Sequence, residues 1–424
     1  MTPWDLAYLA AAPPYAAIMG YKRLRHGKYR DSLPSMLGRR LPSPPLPAVE
    51  RCWLHSVSVG ETVASGALFR ELHSHKPVWR FLSTTTTETG QAQAHKSLPG
   101  IERHTYAPLD FSWVVRRFLA AHRPSLYVVL ETELWPNLLG ECRRRGLPAY
   151  LANGKLSARS AARYERLAPL FRPALSAFRL LLMQNDEYAE RMARVVGSDR
   201  RIRVTGNVKF DALPEPLTPD ERTAMRAEWG VGAGEMVLVA GSTHEGEEDL
   251  LVSTVAELRA AGLPLRLVIA PRHPERFDAV AERLAKRGPS HRLSAGPAPP
   301  GGAPVLLLDK MRVLGRAYGG GDVAIVGGSW NGTGGHNVLE PAVHGLPVLF
   351  GPDMHNQPEL VRILDAARAL LQVPRGSLAE VLARLTGDAG ERARLGAAGR
   401  AAAEANRGAA KRTAELLLAD YDGA

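Results

Sequence analysis

Only two cysteines occur in 424 residues, and Cys52 and Cys142 form neither a CxxC pair nor a Cys/His ligand pattern. This excludes a disulfide scaffold and a zinc ribbon, fits a reducing compartment, and leaves both as small buried hydrophobes. There is no GxxxxGK(S/T), so a P-loop nucleotide hydrolase is not expected. No Asp/His cluster has metal-ligand spacing, and neither a metal nor a cofactor is expected. Long hydrophobic runs are also missing. The apolar stretch 6–20 is broken at Pro13 and Pro14, and at about 15 residues it falls short of the ~20 that span a bilayer. It lacks the basic start and A-x-A ending of a secretory signal.

Acidic residues are scarce in one half. Residues 1–212 carry 31 Lys and Arg against 17 Asp and Glu, while residues 213–424 carry 23 against 26. The basic half suits a phosphorylated or membrane-surface partner, or else a solvated Arg-rich face. Next to the apolar stretch lie Lys22, Arg23, Arg25, Lys28 and Arg30. Residues 1–40 therefore read either as an interfacial anchor on an anionic leaflet or as a packed N-terminal helix.

From residue 41 short apolar runs alternate with amphipathic segments. "RCWLHSVSV", "WRFLSTTTT", "SLYVVLET", "LPAYLANG", "LLLMQN" and "IRVTGN" are continuous rather than alternating, as in parallel strands covered on both faces. The proline-rich "FDALPEPLTPDER" (210–222) reads as a linker. Beyond it "MVLVAGST", "LRLVIAPRH", "VLLLD", "VAIVGGS" and "PVLFG" repeat the pattern. The expected fold is α/β, two Rossmann-like doubly wound domains over 41–212 and 213–400 facing a central cleft, with a C-terminal helix over 401–424.

Chemistry is expected at strand ends. "VGGSWNGTGGHNVLEPAVHG" offers Gly328, Ser329, Gly335, His336, Asn337 and Glu340. Its glycines let backbone N–H groups approach a phosphate, its helix start favours negative charge, and Glu340 suits a ribose diol. Ser242 and Thr243 supply hydroxyls, and Arg272 with His273 supplies the side chain best matched to a phosphate. Together these describe a nucleotide phosphate site, although His336 also fits a core or capping role. In the first half Glu61 follows a strand at a helix start, where it is either a general base or a stabilising first-turn acid. Glu131 and Glu133 point to opposite faces if extended, which favours Glu131 as the cleft acid or as a structural partner for an arginine. Ser58, Gly60, Thr86, Lys155, Ser157 and Arg159 make up the acceptor side, the last three as a phosphate contact or a solvated helix start.

These motifs together, "HSVSVGE", "ETELWPN", "VTGNVKFD", "AGSTHEGEE", "APRHPERF" and "GGHNVLEPA", resemble the 3-deoxy-D-manno-octulosonic acid (Kdo) transferase family. The resemblance runs from about Tyr29 to the C-terminal helices. It implies a metal-independent, inverting GT-B glycosyltransferase of lipopolysaccharide biosynthesis. It further implies CMP-Kdo as donor, a lipid A precursor as acceptor, and the cytoplasmic face of the inner membrane as the place of work, without nucleic acid. Glu61 would be the base and Glu131 a second essential carboxylate. Where the family has "GDTMGEL" this chain reads "LDKMRVL", keeping Asp309 and Met311, so Met311 is counted with the donor site. The altered flanks motivate one alternative, a related transferase with another nucleotide sugar and acceptor; a second alternative is a non-catalytic nucleotide- or membrane-binding relative, against which the intact acids Glu61 and Glu131 count.

Overall fold

Val-, Leu- and Ile-rich runs of this kind can only be buried on both faces, and they form two wholly parallel sheets. The structure, a computed structural model, describes residues 1–26 and 31–423, though not the side chains of residues 14–18, 22–24 and 26. Of the basic cluster, the side chains of Lys22 and Arg23 and all of Lys28 and Arg30 lie outside the described residues. The chain divides into a first unit, residues 1–212 with 406–424, and a second unit, residues 213–405.

In the first unit the strands are β1 (Arg51–His55), β2 (Arg80–Thr85), β3 (Arg103–Tyr106), β4 (Leu126–Leu130), β5 (Ala149–Gly154), β6 (Phe178–Met183) and β7 (Ile202–Val204). Their order is β3-β2-β1-β4-β5-β6-β7, with Cys52 registered on Phe81 to one side and Leu126 to the other. Alternate residues feed opposite faces. Trp53, Tyr127 and Val129 enter one core, and Cys52, Leu54 and Val128 the other. Trp53 lies 4.4 Å from the Tyr127 ring and 4.9 Å from Phe118, and its indole N–H donates to Thr84 Oγ1 at 2.7 Å. Both cysteines are free and buried.

The second unit repeats the plan with β8 (Met236–Thr243), β9 (Leu265–Pro271), β10 (Ser290–Arg292), β11 (Val305–Leu307), β12 (Val323–Val326), β13 (Val348–Phe350) and β14 (Leu370–Gln372). Here the order is β10-β11-β9-β8-β12-β13-β14. In each sheet the winding direction reverses once, between β1 and β4 and between β8 and β12. The crevice beyond the strand carboxyl ends at such a point is where open α/β sheets bind ligands.

Two stretches differ from the sequence reading. Residues 210–222 are not wholly linker, because a 3₁₀ turn covers Val208–Ala212 and a helix covers Pro219–Glu228. Pro219 occupies the first helical position, where its missing N–H costs nothing, and Thr218 and Glu221 form a capping box. The final helix, Ala409–Asp422, packs on the first unit: Asp211 accepts from the Ala410 N–H at 2.8 Å, and Tyr150 donates to Asp420 at 2.8 Å.

Pro13 and Pro14 do not break the N-terminal helix, which runs Pro3–His26. Its start is fastened to the first unit. Asp5 is fully buried and accepts from the Ser112 N–H at 2.8 Å, the Ser112 hydroxyl at 2.7 Å and Asn137 Nδ2 at 3.0 Å. Burial works against the carboxylate, yet the hydrogen bonds from Ser112 and Thr2 hold it below the usual range. Tyr8 donates to Asp110 at 2.8 Å, and Trp4 lies 5.2 Å from Phe171. No described helix is long and apolar enough to cross a membrane. Asp5→Ala strands a buried N–H and an amide, so it should cost about 2 kcal/mol. Protease cleavage within residues 1–26 is expected to accelerate while the rest of the chain keeps its resistance; an unchanged digestion rate would show that the helix is held by other contacts.

Candidate functional site

Two clusters of functional side chains form, one at each reversal point. In the first unit β1 runs into a turn whose Ser58 caps the helix Val59–His75. Glu61, in the first turn and 8% exposed, accepts from the Val57 N–H at 2.7 Å through one oxygen and from the Ser58 hydroxyl at 2.7 Å through the other. This is the helix-stabilising role, present in full, with the carboxylate at the strand's carboxyl end.

Glu131, the first residue past β4, is in a left-handed conformation, φ +58°, at a cost on the order of 1–3 kcal/mol. The backbone is therefore not extended there, and strand alternation does not govern where Glu131 and Glu133 point. Glu131 pairs with Lys209 at 2.9 Å, a structural cation partner that is lysine rather than arginine. Glu133, the acid that alternation disfavoured, lines a pocket of about 300 Å³ with Thr132, Trp135, Lys155, Arg163 and Tyr164. Burial, then the charges of Glu61 and Glu131, pushes its pKa up to about 7.

Among the expected acceptor residues only Lys155 reaches this pocket. Ser157 caps the helix Ala158–Arg166, Arg159 is exposed, and Ser58 is committed to the cap of Glu61. Thr86 donates to the Val57 carbonyl at 3.4 Å, and Gly60 is exposed with open space around it.

In the second unit the organising residue is Glu247, in the first turn of the helix Glu247–Ala260 and fully buried. One oxygen accepts from the N–H groups of His244 at 2.9 Å and Gly328 at 2.8 Å, the other from Ser329 and Trp330, both at 3.0 Å. The last three of these N–H groups belong to the glycine-rich turn expected to cradle a phosphate, and they are already used. The Ser329 side chain is likewise internal, donating to the Val326 carbonyl and accepting from the Gly351 N–H. Thr243 is also unavailable to a ligand, being fully buried with its hydroxyl on Glu248 at 3.0 Å.

What remains facing outward is cationic or imidazole. Arg272 and His273 are exposed just past β9. His244, which the sequence reading passed over, meets His336 Nε2 to Nε2 at 2.8 Å with rings 4° from parallel, and its ring centre is 5.3 Å from that of His273. One ring must donate and the other accept, so the pair holds a single proton between those nitrogens. Burial, then the charges of Arg272, His244 and His273, lowers the His336 pKa to about 4. Gly328 has φ +70°, and a Cβ there would lie 2.9 Å from the His336 ring, so a side chain would displace the imidazole.

His336 and Asn337 precede the short helix Leu339–Val343 rather than opening it. Asn337 accepts from the Leu339 N–H at 2.9 Å and donates to Glu340 at 3.2 Å. Burial raises the Glu340 pKa against the opposing pull of Asn337 and Arg272. Ser242, φ +57°, is the last residue but one of β8, and Gly335 donates its N–H to the Gly328 carbonyl at 2.8 Å. Met311 is exposed, whereas the retained Asp309 is internal, paired with Arg292 at 2.7 Å.

Two Rossmann-like units with polar clusters at their reversal points define an α/β fold of the GT-B glycosyltransferase and epimerase class. Among solved structures the chain is similar to a UDP-GlcNAc 2-epimerase from Neisseria meningitidis bound to UDP-GlcNAc. The TM-score is 0.60 at 16% identity, over 87% of this chain and 100% of that one. It is also similar to a glycosyltransferase from Rickettsia africae, TM-score 0.56 at 10% identity over 88% and 98%. Residues 25–212 match the family model of 3-deoxy-D-manno-octulosonic-acid transferase (Kdo transferase). The transferases of that name from Haemophilus influenzae and Bordetella pertussis are 33% and 34% identical, over 96% of this chain in both cases and 96% and 97% of theirs. The chain belongs to the Kdo transferase family and is a glycosyltransferase.

Replacing Glu247 by glutamine puts an NH₂ group among four backbone donors and should cost about 3 kcal/mol locally. Hydrogen exchange at the amides of Gly328, Ser329 and Trp330 is then expected to speed up on the order of 100-fold, while the first unit exchanges as before. Unaltered protection at those three amides would contradict the organising role.

Proposed function

We propose that the protein transfers Kdo from CMP-Kdo to a lipid A precursor with inversion, the second unit holding the donor and the first the acceptor and base. The observation that carries this reading is the set left facing outward in the second unit: Arg272, His273, His244 and His336 beside Asn337 and Glu340. A nucleoside monophosphate sugar with its own carboxylate presents two anionic groups and a ribose diol, and this set offers partners for all of them. With the N–H groups of Gly328, Ser329 and Trp330 taken by Glu247, these side chains carry the larger share of the anion's recognition.

On the acceptor side, Lys155 and Arg163 suit a phosphorylated glycolipid, and Glu61 takes the acceptor hydroxyl's proton, with Glu131 as a second required carboxylate. Membrane-surface work at the cytoplasmic face rests on two features. Leu6, Leu9, Leu167 and Leu170 are exposed around the contact of Trp4 with Phe171, and the surrounding half of the chain is basic. Such a combination suits docking on an anionic leaflet rather than spanning it.

Purified protein incubated with CMP-Kdo and a lipid A precursor should form the glycosylated product, and Glu61→Gln should lower kcat by about 100-fold or more. Calorimetry should show binding of CMP in preference to UDP and GDP. Absence of transfer, or equal binding of the three nucleotides, would overturn the donor assignment.

A further inference from the structure

We propose that Glu133 is a further catalytic carboxylate, the group on which the proton removed from the acceptor hydroxyl comes to rest. The inference rests on the transferase reading above and adds to it a residue that the strand-alternation argument set aside.

The three acids at the first reversal point are not equivalent. Both oxygens of Glu61 accept hydrogen bonds from its own cap, and Glu131 is matched by Lys209. The Glu133 carboxylate has neither a hydrogen-bond nor an ion-pair partner among the described residues. Its neighbours are set by topology. The register of β1 on β4 puts His55 beside Val129, so the chain continues from one strand into Glu61 and from the other into Glu131 and Glu133. Across the pocket stand Lys155, just past β5, and Arg163 and Tyr164 on the helix Ala158–Arg166. Burial, then the charges of Glu61 and Glu131, favours the protonated carboxyl. The result is a proton affinity near neutrality, which is what an acid–base group needs.

In the reaction the acceptor O–H bond breaks and its oxygen bonds to the anomeric carbon of the sugar. The anomeric C–O bond to phosphate breaks, and its electron pair leaves with CMP. Glu61 takes the proton from the hydroxyl and passes it to Glu133. Glu61 thereby regains the form in which both oxygens accept, and Glu133 later releases the proton to solvent. Two carboxylates of unequal environment divide the work of one base.

The test uses the full chain. For the wild type, kcat/KM should fall as pH drops below about 7, because Glu133 must be ionised to receive the proton. Glu133→Gln should lower kcat about 100-fold and abolish that acid limb, and Glu133→Asp should restore both in part. A readout independent of turnover follows from linkage. The folded pKa lies above the ordinary glutamate value, so the folded state binds more protons between about 4.3 and 7 and the wild type loses stability as pH rises through that range. The melting temperature of Glu133→Gln should be flatter there. Wild-type rate and acid limb in Glu133→Gln would overturn the proposal. So would a lost rate in that variant when the wild type has no limb, since the role would then be structural. If the wild type transfers nothing at all, the transferase reading fails by itself; the melting profiles still report on Glu133, and identical profiles for wild type and Glu133→Gln would overturn its proton-holding role.

Discussion

A single buried carboxylate, Glu247, fixes the shape of the second unit's functional face. A charge with no water around it must be compensated by dipoles, and four backbone N–H groups drawn from two strand ends converge on it. That convergence draws the end of β12 against the end of β8. It also places Gly328 under the His336 ring, and through the same turn sets the distance between His336 and His244. The first part of the glycine-rich turn is thus organised from inside by a carboxylate of the protein, and its N–H groups at Gly328, Ser329 and Trp330 are closed to an outside anion.

The first unit uses a smaller version of the device. Glu61, like Glu247, lies in the first turn of the helix that follows the first strand of its sheet, and it reaches back to an N–H of the preceding turn. In both places a parallel strand must hand over to a helix at the point where the winding reverses, and the loop N–H groups exposed there have no strand partner. An acid in the first turn satisfies them and interacts favourably with the helix dipole. This shared demand is why the stabilising and catalytic readings of Glu61 are hard to separate by inspection: the same geometry serves the fold and puts a carboxylate at the ligand end of the sheet.

Much of this architecture was legible in the chain. The strands read from apolar runs are those in or next to the sheet centres, plus β7, where burial on both faces forces continuous hydrophobicity. The three that were missed, β3 with "RHTY", β10 with "SHR" and β14 with "LLQ", all lie at sheet edges, where one flank meets no neighbour and no apolar run is required. The site was legible by position more than by role. Arg272, His273, His336, Asn337 and Glu340 fall in one neighbourhood, but Thr243 and Ser329 turn inward. Glu247 passed unnoticed because in "EGEEDLL" it looks like any first-turn acid. His244 lay in a quoted motif but had no partner in sequence, since the ring it meets is 92 residues away. Strand alternation gives no reason to set Glu133 aside, because it stops at a residue with positive φ, and no local signal announces a left-handed glutamate.

The charge asymmetry also needs restating in physical terms. Much of the basic excess of residues 1–212 is spent on the fold. Arg51 is fully buried, paired with Glu102 at 2.7 Å and donating to the His122 carbonyl at 2.7 Å. Arg172 donates to the Val195 carbonyl at 3.0 Å, and Arg201 to the Phe178 carbonyl at 2.5 Å. A guanidinium engaged in this way closes a helix end or a strand start and contributes little to a partner's affinity. Lys155 and Arg163 differ, because they meet no carboxylate in an ion pair among the described residues and stand together on one small pocket. Recognition of a ligand in that pocket therefore has to be argued from those two cations and the acid opposite them, while the net charge of the half bears only on attraction to a surface.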